Sequence, residues 1–192
     1  MLRKPADFED TVRKPGNDFL KTAARPIKNE DWKGREFWRR VIPYMRSGHR
    51  DICSYSAIWV SKLTGTATID HYIPRSADPD SAYEWKNLRL SCQLMNSRKK
   101  NFRDVLDPFK IKAGWFTIDF DTYMVHPNPT LPAPTKRKVS ATIERLKLND
   151  DLCVAARREW YECFSTGCMD FDLLQRRAPH IAFEARRQGL AP

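Results

Sequence analysis

Two stretches decide the fold: "TATIDHYIPRS", Thr66 to Ser76, and "NLRLSCQLMNSRKKN", Asn87 to Asn101, which follows one loop later. In the first stretch, apolar and polar residues alternate as in a strand, and an acid and a histidine, Asp70 and His71, stand side by side. The second begins as a strand and ends as a cationic helical turn that contains Asn96. The order strand, loop, strand, helix therefore places polar side chains at the ends of three elements.

The surrounding residues extend this pattern in both directions. Between Asp51 and Ile73, "ICSYSAIWV" and "ATIDHYI", separated by "KLTGT", predict two β segments joined as a hairpin. "PRSADPDSAYEW" predicts a loop, "NLRLSC" a second strand and "QLMNSRKKNF" a short helix. We therefore expect an α+β protein with a compact core at residues 50–106 and with helices on both sides of it.

The spacing of the polar residues adds a functional indication. Asn87 follows His71 by 16 positions, and Asn96 follows Asn87 by 9. These residue types in "IDHYIPRS", "WKNLRLSC" and "NSRKKN" resemble the HNH, or ββα-metal, nuclease motif over about residues 50–101. The resemblance implies a ββα-metal fold that hydrolyses DNA phosphodiester bonds with Mg²⁺ or Mn²⁺ and leaves 5′-phosphate and 3′-hydroxyl ends.

The same resemblance assigns a role to each residue of the motif. Asp70 and Asn96 would ligate the metal, and their oxygen atoms suit a hard cation. His71 would be the general base, because an unperturbed histidine with a pKa near 6.5 is largely neutral at pH 7. Asn87 would complete the catalytic set by holding the loop and the imidazole in register.

Cations next to the motif are expected to bind the DNA backbone. Arg98, Lys99 and Lys100 lie on the predicted helix, and Arg75 lies in the loop after His71. Arg98 is the strongest candidate, because its planar guanidinium matches the geometry of a phosphate. Taken singly, each motif residue also has a structural explanation, such as a polar pair at a strand end, a turn residue or a solvated helix end.

The charge of the whole chain points to a polyanionic partner. The 192 residues include 34 Lys and Arg against 24 Asp and Glu, a net charge of +10. No apolar run approaches the roughly 20 residues of a membrane-spanning helix, and the N-terminus lacks the apolar region of a signal peptide. We expect a cytoplasmic protein that binds nucleic acid and no membrane.

The cysteines argue against disulfides and against a structural zinc. Five cysteines form an odd count in a chain with no export signal, so reduced thiols are expected. Many HNH proteins frame their core with two CxxC pairs that bind Zn²⁺. Here "CSYS" keeps Cys53 but has Ser56, and "CQLM" keeps Cys92 but has Met95. We therefore expect no structural Zn²⁺.

The N-terminal region, residues 1–49, divides into two predicted parts. Residues 1–28 mix prolines and basic residues with little periodicity, which predicts an extended arm without a stable element. The pattern of residues 30–46 predicts one helix, and its aromatic residues, which include Trp32 and Trp38, are expected to lie in the protein core. Its basic residues that could face phosphate are Arg35, Arg39 and Arg40.

The C-terminal region, residues 107–192, is predicted to be mainly helical. An alternating run over 115–125 predicts a hairpin, and the prolines after it predict a stiff connector. The helices that follow should break near Asn149 and Asp150, either of which is a suitable N-cap, and again at Pro179.

A second, more distant resemblance concerns biological role. The segments "YEWKNLRLSCQLMNSRKKN", "VLDPF" and "ATIERLKLNDDLCVAARREW" are similar to HNH proteins of bacterial anti-phage defence systems, such as the Septu-type nuclease subunit that works with an ABC-type ATPase. This implies an ATPase or another defence-system subunit as a partner besides DNA. Two alternatives stay open: a non-catalytic nucleic-acid-binding module, and an interaction subunit whose basic helices bind an acidic protein.

Overall fold

The computed structural model of the protein describes residues 2–192, and Met1, the first residue of the predicted arm, lies outside them. The described chain contains both helices and strands, which confirms the predicted α+β class. No helix within residues 2–192 is long and apolar enough to cross a membrane.

The chain folds as two compact units. The first unit comprises residues 2–51 and 60–103, and the second comprises residues 52–59 and 104–192. Most of the predicted N-terminal region and most of the predicted core therefore belong to one unit rather than to two.

A two-stranded antiparallel sheet followed by a helix forms the centre of the first unit. Strand β1 (Ala67–His71) pairs with β2 (Leu88–Cys92), and in this register Asp70 lies opposite Arg89. Helix α3 (Gln93–Lys99) begins directly after β2 and packs on both strands. The predicted second strand and the predicted helix after it are confirmed.

The predicted hairpin between Asp51 and Ile73 is wrong. The run "ICSYSAIWV" forms no strand, and only an isolated antiparallel bridge joins Ile52 to Trp59. Positive φ angles at Asp51 (60°) and Ala57 (53°) interrupt the extended conformation that a strand requires. The partner of β1 is therefore β2, across the long loop, rather than the run that precedes β1.

The N-terminal arm forms helical elements, contrary to the prediction of an extended arm without a stable element. A π-helical turn (Glu9–Arg13) leads into helix α1 (Lys14–Thr22). Phe8 and Val12 are fully buried in the core, so apolar burial stabilises the segment. Pro15 lies in the first turn of α1, where a missing backbone N–H costs no helical hydrogen bond.

The single helix predicted over residues 30–46 is divided into three short pieces. These are 3₁₀ turns at Glu30–Trp32 and Phe37–Val41, followed by helix α2 (Ile42–Gly48). Gly34 has a φ of +74° between the first two pieces, a conformation that ends a right-handed helix.

The core of the first unit lies where these N-terminal pieces meet the sheet. Trp32 and Trp38 are each only 5 % exposed, which confirms that they are core residues. The buried cluster consists of Phe8, Val12, Trp32, Trp38, Val41, Met45, Ile69, Ala82, Tyr83, Leu88 and Leu90.

The second unit contains the predicted hairpin and helices. Its elements are β3 (Phe116–Ile118), β4 (Val125–Pro127), α4 (Ala133–Arg145), α5 (Asp151–Ser165), α6 (Phe171–Arg177) and α7 (Pro179–Arg187). Of the two candidate N-caps, Asp150 caps α5 by accepting a hydrogen bond from the Cys153 N–H at 3.0 Å, and Pro179 begins α7, as predicted. Pro134 lies in the first turn of α4, so the stiff connector is shorter than predicted.

Candidate active site

A cleft of about 810 Å³ opens in the first unit beside β1. Asp70, His71 and Asn96, three of the four motif residues, line it together. The N-terminal pieces form the facing wall, to which they contribute Trp38 and Arg39.

The alternation of β1 gives Asp70 and His71 different neighbours. Successive side chains of a strand point to opposite faces, so Asp70 shares a face with Thr68 and not with His71. On that face, the Asn96 amide nitrogen donates to the Thr68 hydroxyl at 3.0 Å, and Lys99 Nζ lies 3.7 Å from Asp70 Oδ2. Helix α3 therefore covers the carboxylate side of the strand.

His71 lies on the other face and is fixed by contacts to its ring. Its Nε2 is 2.9 Å from the carbonyl oxygen of Ala82, and the imidazole packs against the Trp38 ring in a T-shaped arrangement with ring centroids 4.6 Å apart. Because a carbonyl can only accept, Nε2 carries the proton, and Nδ1 of the neutral ring keeps a lone pair. The imidazole thus presents an acceptor, as a general base requires.

Burial makes this neutral form dominant. His71 is 8 % exposed, and removal from water, together with the smaller effect of the nearby Arg75 charge, lowers its pKa from 6.5 to about 3. The ring is therefore neutral at pH 7 in the protein alone. A phosphate anion entering the cleft would favour the imidazolium and raise this pKa towards the range useful for proton transfer.

Asn87 is buried away from the cleft and braces the loop that holds His71. Its Oδ1 accepts from the Ile73 N–H at 2.7 Å, and its Nδ2 donates to the carbonyl of Ile73 at 3.0 Å and to that of Ser81 at 3.1 Å. Ser81 precedes Ala82, whose carbonyl fixes the imidazole. These contacts suit an alignment role, which stays a prediction.

The donor set suits a hard cation. The Asn96 Nδ2 group is directed at Thr68 and at the Ile69 carbonyl, so Oδ1 is the branch of the amide that points away from them. Among the described residues no group of three or more His, Cys, Asp and Glu is placed to hold a metal. Mg²⁺, however, commonly uses one or two protein oxygens and keeps several waters, so the oxygen donors of Asp70 and Asn96 are of the chemical type that this ion binds.

The predicted phosphate-binding residues have different environments. Arg75 lines the cleft with its guanidinium 4.7 Å from the Trp32 ring centre and 4.8 Å from that of Trp38. Burial lowers the pKa of Arg75, and its Nη1 is buried without a hydrogen-bond partner in the described residues. Lys100 is exposed and also lines the cleft. Arg98 is half-buried on α3 and is not among the cleft-lining residues.

The prediction that Lys99 contacts DNA is contradicted by its position. Its side chain is fully buried, and Nζ donates to the carbonyls of His71 at 2.9 Å and Tyr72 at 2.7 Å. Burial lowers its pKa, whereas the neighbouring Asp70 raises it. An amine with these partners faces the protein interior rather than a phosphate.

Two cations of the cleft come from outside the motif. Lys33 and Arg39 are exposed and belong to the N-terminal wall. Arg39 was expected to face phosphate, whereas Lys33 was not singled out, because nothing in the sequence distinguishes it from other surface lysines.

The first unit contains 21 Lys and Arg against 12 Asp and Glu, a net charge of +9, and the second 13 against 12, a net charge of +1. The positive excess of the chain is thus concentrated in the unit that holds the cleft.

The cysteines of the incomplete CxxC pairs lie in separate units. Cys53 is buried in the second unit, and Cys92 is half-buried at the end of β2 in the first. Neither forms a disulfide within the part of the chain that the structure describes. The expectation that the protein holds no structural Zn²⁺ stays a prediction.

Comparison with known proteins gives no family assignment. No protein-family model matches the chain, and no curated protein matches its sequence. The functional argument therefore depends on the site itself.

Proposed function

We propose that the protein is a metal-dependent endonuclease of the HNH type that hydrolyses DNA phosphodiester bonds. The observation that carries the proposal is that Asp70, His71 and Asn96 line one cleft in which the His71 ring is held neutral. A carboxylate and an amide oxygen can hold the metal, and an unprotonated imidazole can accept a proton from water, which are two functions used in metal-assisted hydrolysis of a phosphodiester.

Each residue would have a defined part in the reaction. Nδ1 of His71 would accept a proton from a water molecule as its oxygen attacks phosphorus, and the bond from phosphorus to the 3′-oxygen would break. Asp70 and Asn96 would hold Mg²⁺ or Mn²⁺, which when bound would stabilise the charge that develops on the phosphate and the leaving oxygen. Arg75 and Lys100 would position the DNA backbone along the cleft.

A plasmid-nicking assay tests the proposal. Purified wild-type protein should convert supercoiled plasmid to the nicked or linear form with Mg²⁺ or Mn²⁺, and EDTA should stop the reaction. His71→Ala should reduce the rate at least about a hundredfold, the usual minimum contribution of a general base, while leaving DNA binding nearly intact. His126→Ala, a substitution of an exposed histidine in the second unit, should cleave at the wild-type rate. Undiminished cleavage by His71→Ala would overturn the mechanism.

The concentration of charge in the first unit also favours a second candidate, a nucleic-acid-binding module without catalysis. Such a protein would bind unrelated DNA sequences with strong salt dependence and would leave the plasmid intact with either metal. An interaction subunit for an acidic protein would instead show no salt-sensitive DNA binding.

We further infer a role in anti-phage defence, together with an ATPase or another subunit of such a system. This inference is supported by the resemblance of the segments after the core to defence-associated HNH proteins. Cells expressing the protein with its genomic neighbours should resist phage infection, and His71→Ala should abolish that resistance. Equal resistance with His71→Ala would contradict a nuclease effector.

A further inference from the structure

Lys99 is an enclosed cation at the strand end that carries the acid and the histidine. An ammonium group has three N–H donors. Two are used by the carbonyls of His71 and Tyr72, at 2.9 and 2.7 Å, and the Asp70 carboxylate lies 3.7 Å away. The Lys99 side chain has 0 % exposure and that of Asp70 5 %, so water screens this pair little.

The position of Lys99 connects two elements of the candidate site. The two carbonyl contacts join α3, which carries Asn96, to the end of β1, which carries Asp70 and His71. A buried carboxylate also needs compensation by donors or a positive charge, and Lys99 supplies a positive charge. The same side chain therefore contributes both a mechanical link and an electrostatic counterpart to Asp70.

We propose that Lys99 is a positioning residue that serves as a resident counter-ion of Asp70. It holds the strand end in place before a divalent cation binds, and it weakens binding of that cation by electrostatic repulsion. This inference rests on the proposed function, because it concerns a metal at Asp70 and Asn96. Repulsion between a buried ammonium and a divalent cation that share one carboxylate is strong even at an effective dielectric constant of about 20, so removal of the ammonium should tighten binding by at least about tenfold.

The sign of this effect separates the proposal from a merely structural role. Loss of a structural contact would destabilise the protein and weaken a metal site that depends on it. Loss of a counter-ion would destabilise the metal-free protein, but the arriving cation would then compensate Asp70 without competition. Stability without metal and affinity for metal should therefore change in opposite directions.

Lys99→Gln in the full-length protein provides the test, since glutamine removes the charge but keeps an amide donor for a carbonyl. Calorimetric titration with Mn²⁺ in the absence of DNA should give a Kd at least about tenfold lower than that of wild type. The Tm without metal should fall, and the increase in Tm on adding Mn²⁺ should be larger than in wild type. Lys86→Gln, which removes an exposed charge in the same unit, should leave both quantities unchanged.

Lys99→Arg keeps the charge and should bind Mn²⁺ with wild-type affinity, and it carries the test if Lys99→Gln does not fold. A tenfold tighter Kd for Lys99→Arg would overturn the proposal. Binding that Lys99→Gln weakens or leaves unchanged would overturn this inference alone, because a wild-type protein that binds Mn²⁺ still satisfies the proposed metal site. A wild-type protein that binds no Mn²⁺ would overturn the metal site and this inference together.

Discussion

Acidification should destabilise the protein through His71. The buried ring has a pKa of about 3 in the folded protein, against 6.5 for an ordinary histidine. Between these two values the unfolded chain takes up a proton that the folded chain does not bind, so stability falls as the pH is lowered below 6.5. Above pH 6.5 both states are neutral at this residue, and it makes no pH-dependent contribution.

The magnitude follows from the two pKa values. Each pH unit below 6.5 costs about 1.4 kcal/mol until the folded pKa is approached. Lowering the pH from 7 to 5 crosses about 1.5 such units, so His71 alone should cost about 2 kcal/mol of unfolding free energy. Burial also lowers the pKa values of His49 and His180, so these two residues further reduce the unfolding free energy of the wild-type protein on acidification.

The contribution of His71 is isolated by comparison with His71→Gln, which cannot titrate and keeps a donor for the Ala82 carbonyl. Urea denaturation in EDTA, followed through the indole resonance of Trp38, reports on the first unit. Wild type should lose about 2 kcal/mol more than His71→Gln between pH 7 and pH 5. Equal losses, or a His71 ring resonance that titrates with a midpoint near 6.5, would refute the reasoning.

Two further predictions concern the N-terminal pieces. In Gly16→Ala the new Cβ would lie 2.2 Å from Cγ of the buried Tyr83 ring, so the unfolding free energy measured in urea should fall by about 1–3 kcal/mol or more. A variant as stable as wild type would contradict this packing. The double substitution Lys33→Glu and Arg39→Glu should weaken binding to unrelated duplexes and make the slope of log K against log salt shallower by about two, as measured by fluorescence anisotropy. Arg137→Glu, on the exposed face of α4, should change that slope less, and equal effects would contradict a DNA path along the cleft.

Local patterns were sufficient to predict β2, α3 and a helix N-cap at Asn149 or Asp150. Each depends on residues within a few positions of one another, such as alternation along a strand or a side chain that reaches the nearby Cys153 N–H. The pairing of β1 depends instead on which other run completes the sheet, and both "ICSYSAIWV" and "NLRLSC" satisfied the local pattern of a strand. The choice of β2 is made by the core that Ile69, Leu88 and Leu90 build together.

The missed features share a dependence on tertiary contact. Pro15 and Gly16 suggested a broken arm, yet the proline suits the start of a helix and the glycine allows close approach to the Tyr83 ring. Lys99 and Lys100 are identical in type and adjacent in sequence. What distinguishes the buried Lys99 from the exposed Lys100 is that carbonyl groups surround the Lys99 ammonium, and the sequence spacing does not reveal those partners.

The N-terminal pieces belong to the candidate site as much as the motif does. Trp38 touches the His71 ring, and Trp32 and Trp38 together enclose the Arg75 guanidinium. Without these aromatic side chains water would reach the imidazole, and the pKa of His71 would return towards 6.5. The segment that sequence patterns treated as an appendage therefore sets the protonation state of the proposed base. It also supplies Arg39 to the wall that faces it, so electrostatic control and substrate contact come from one element.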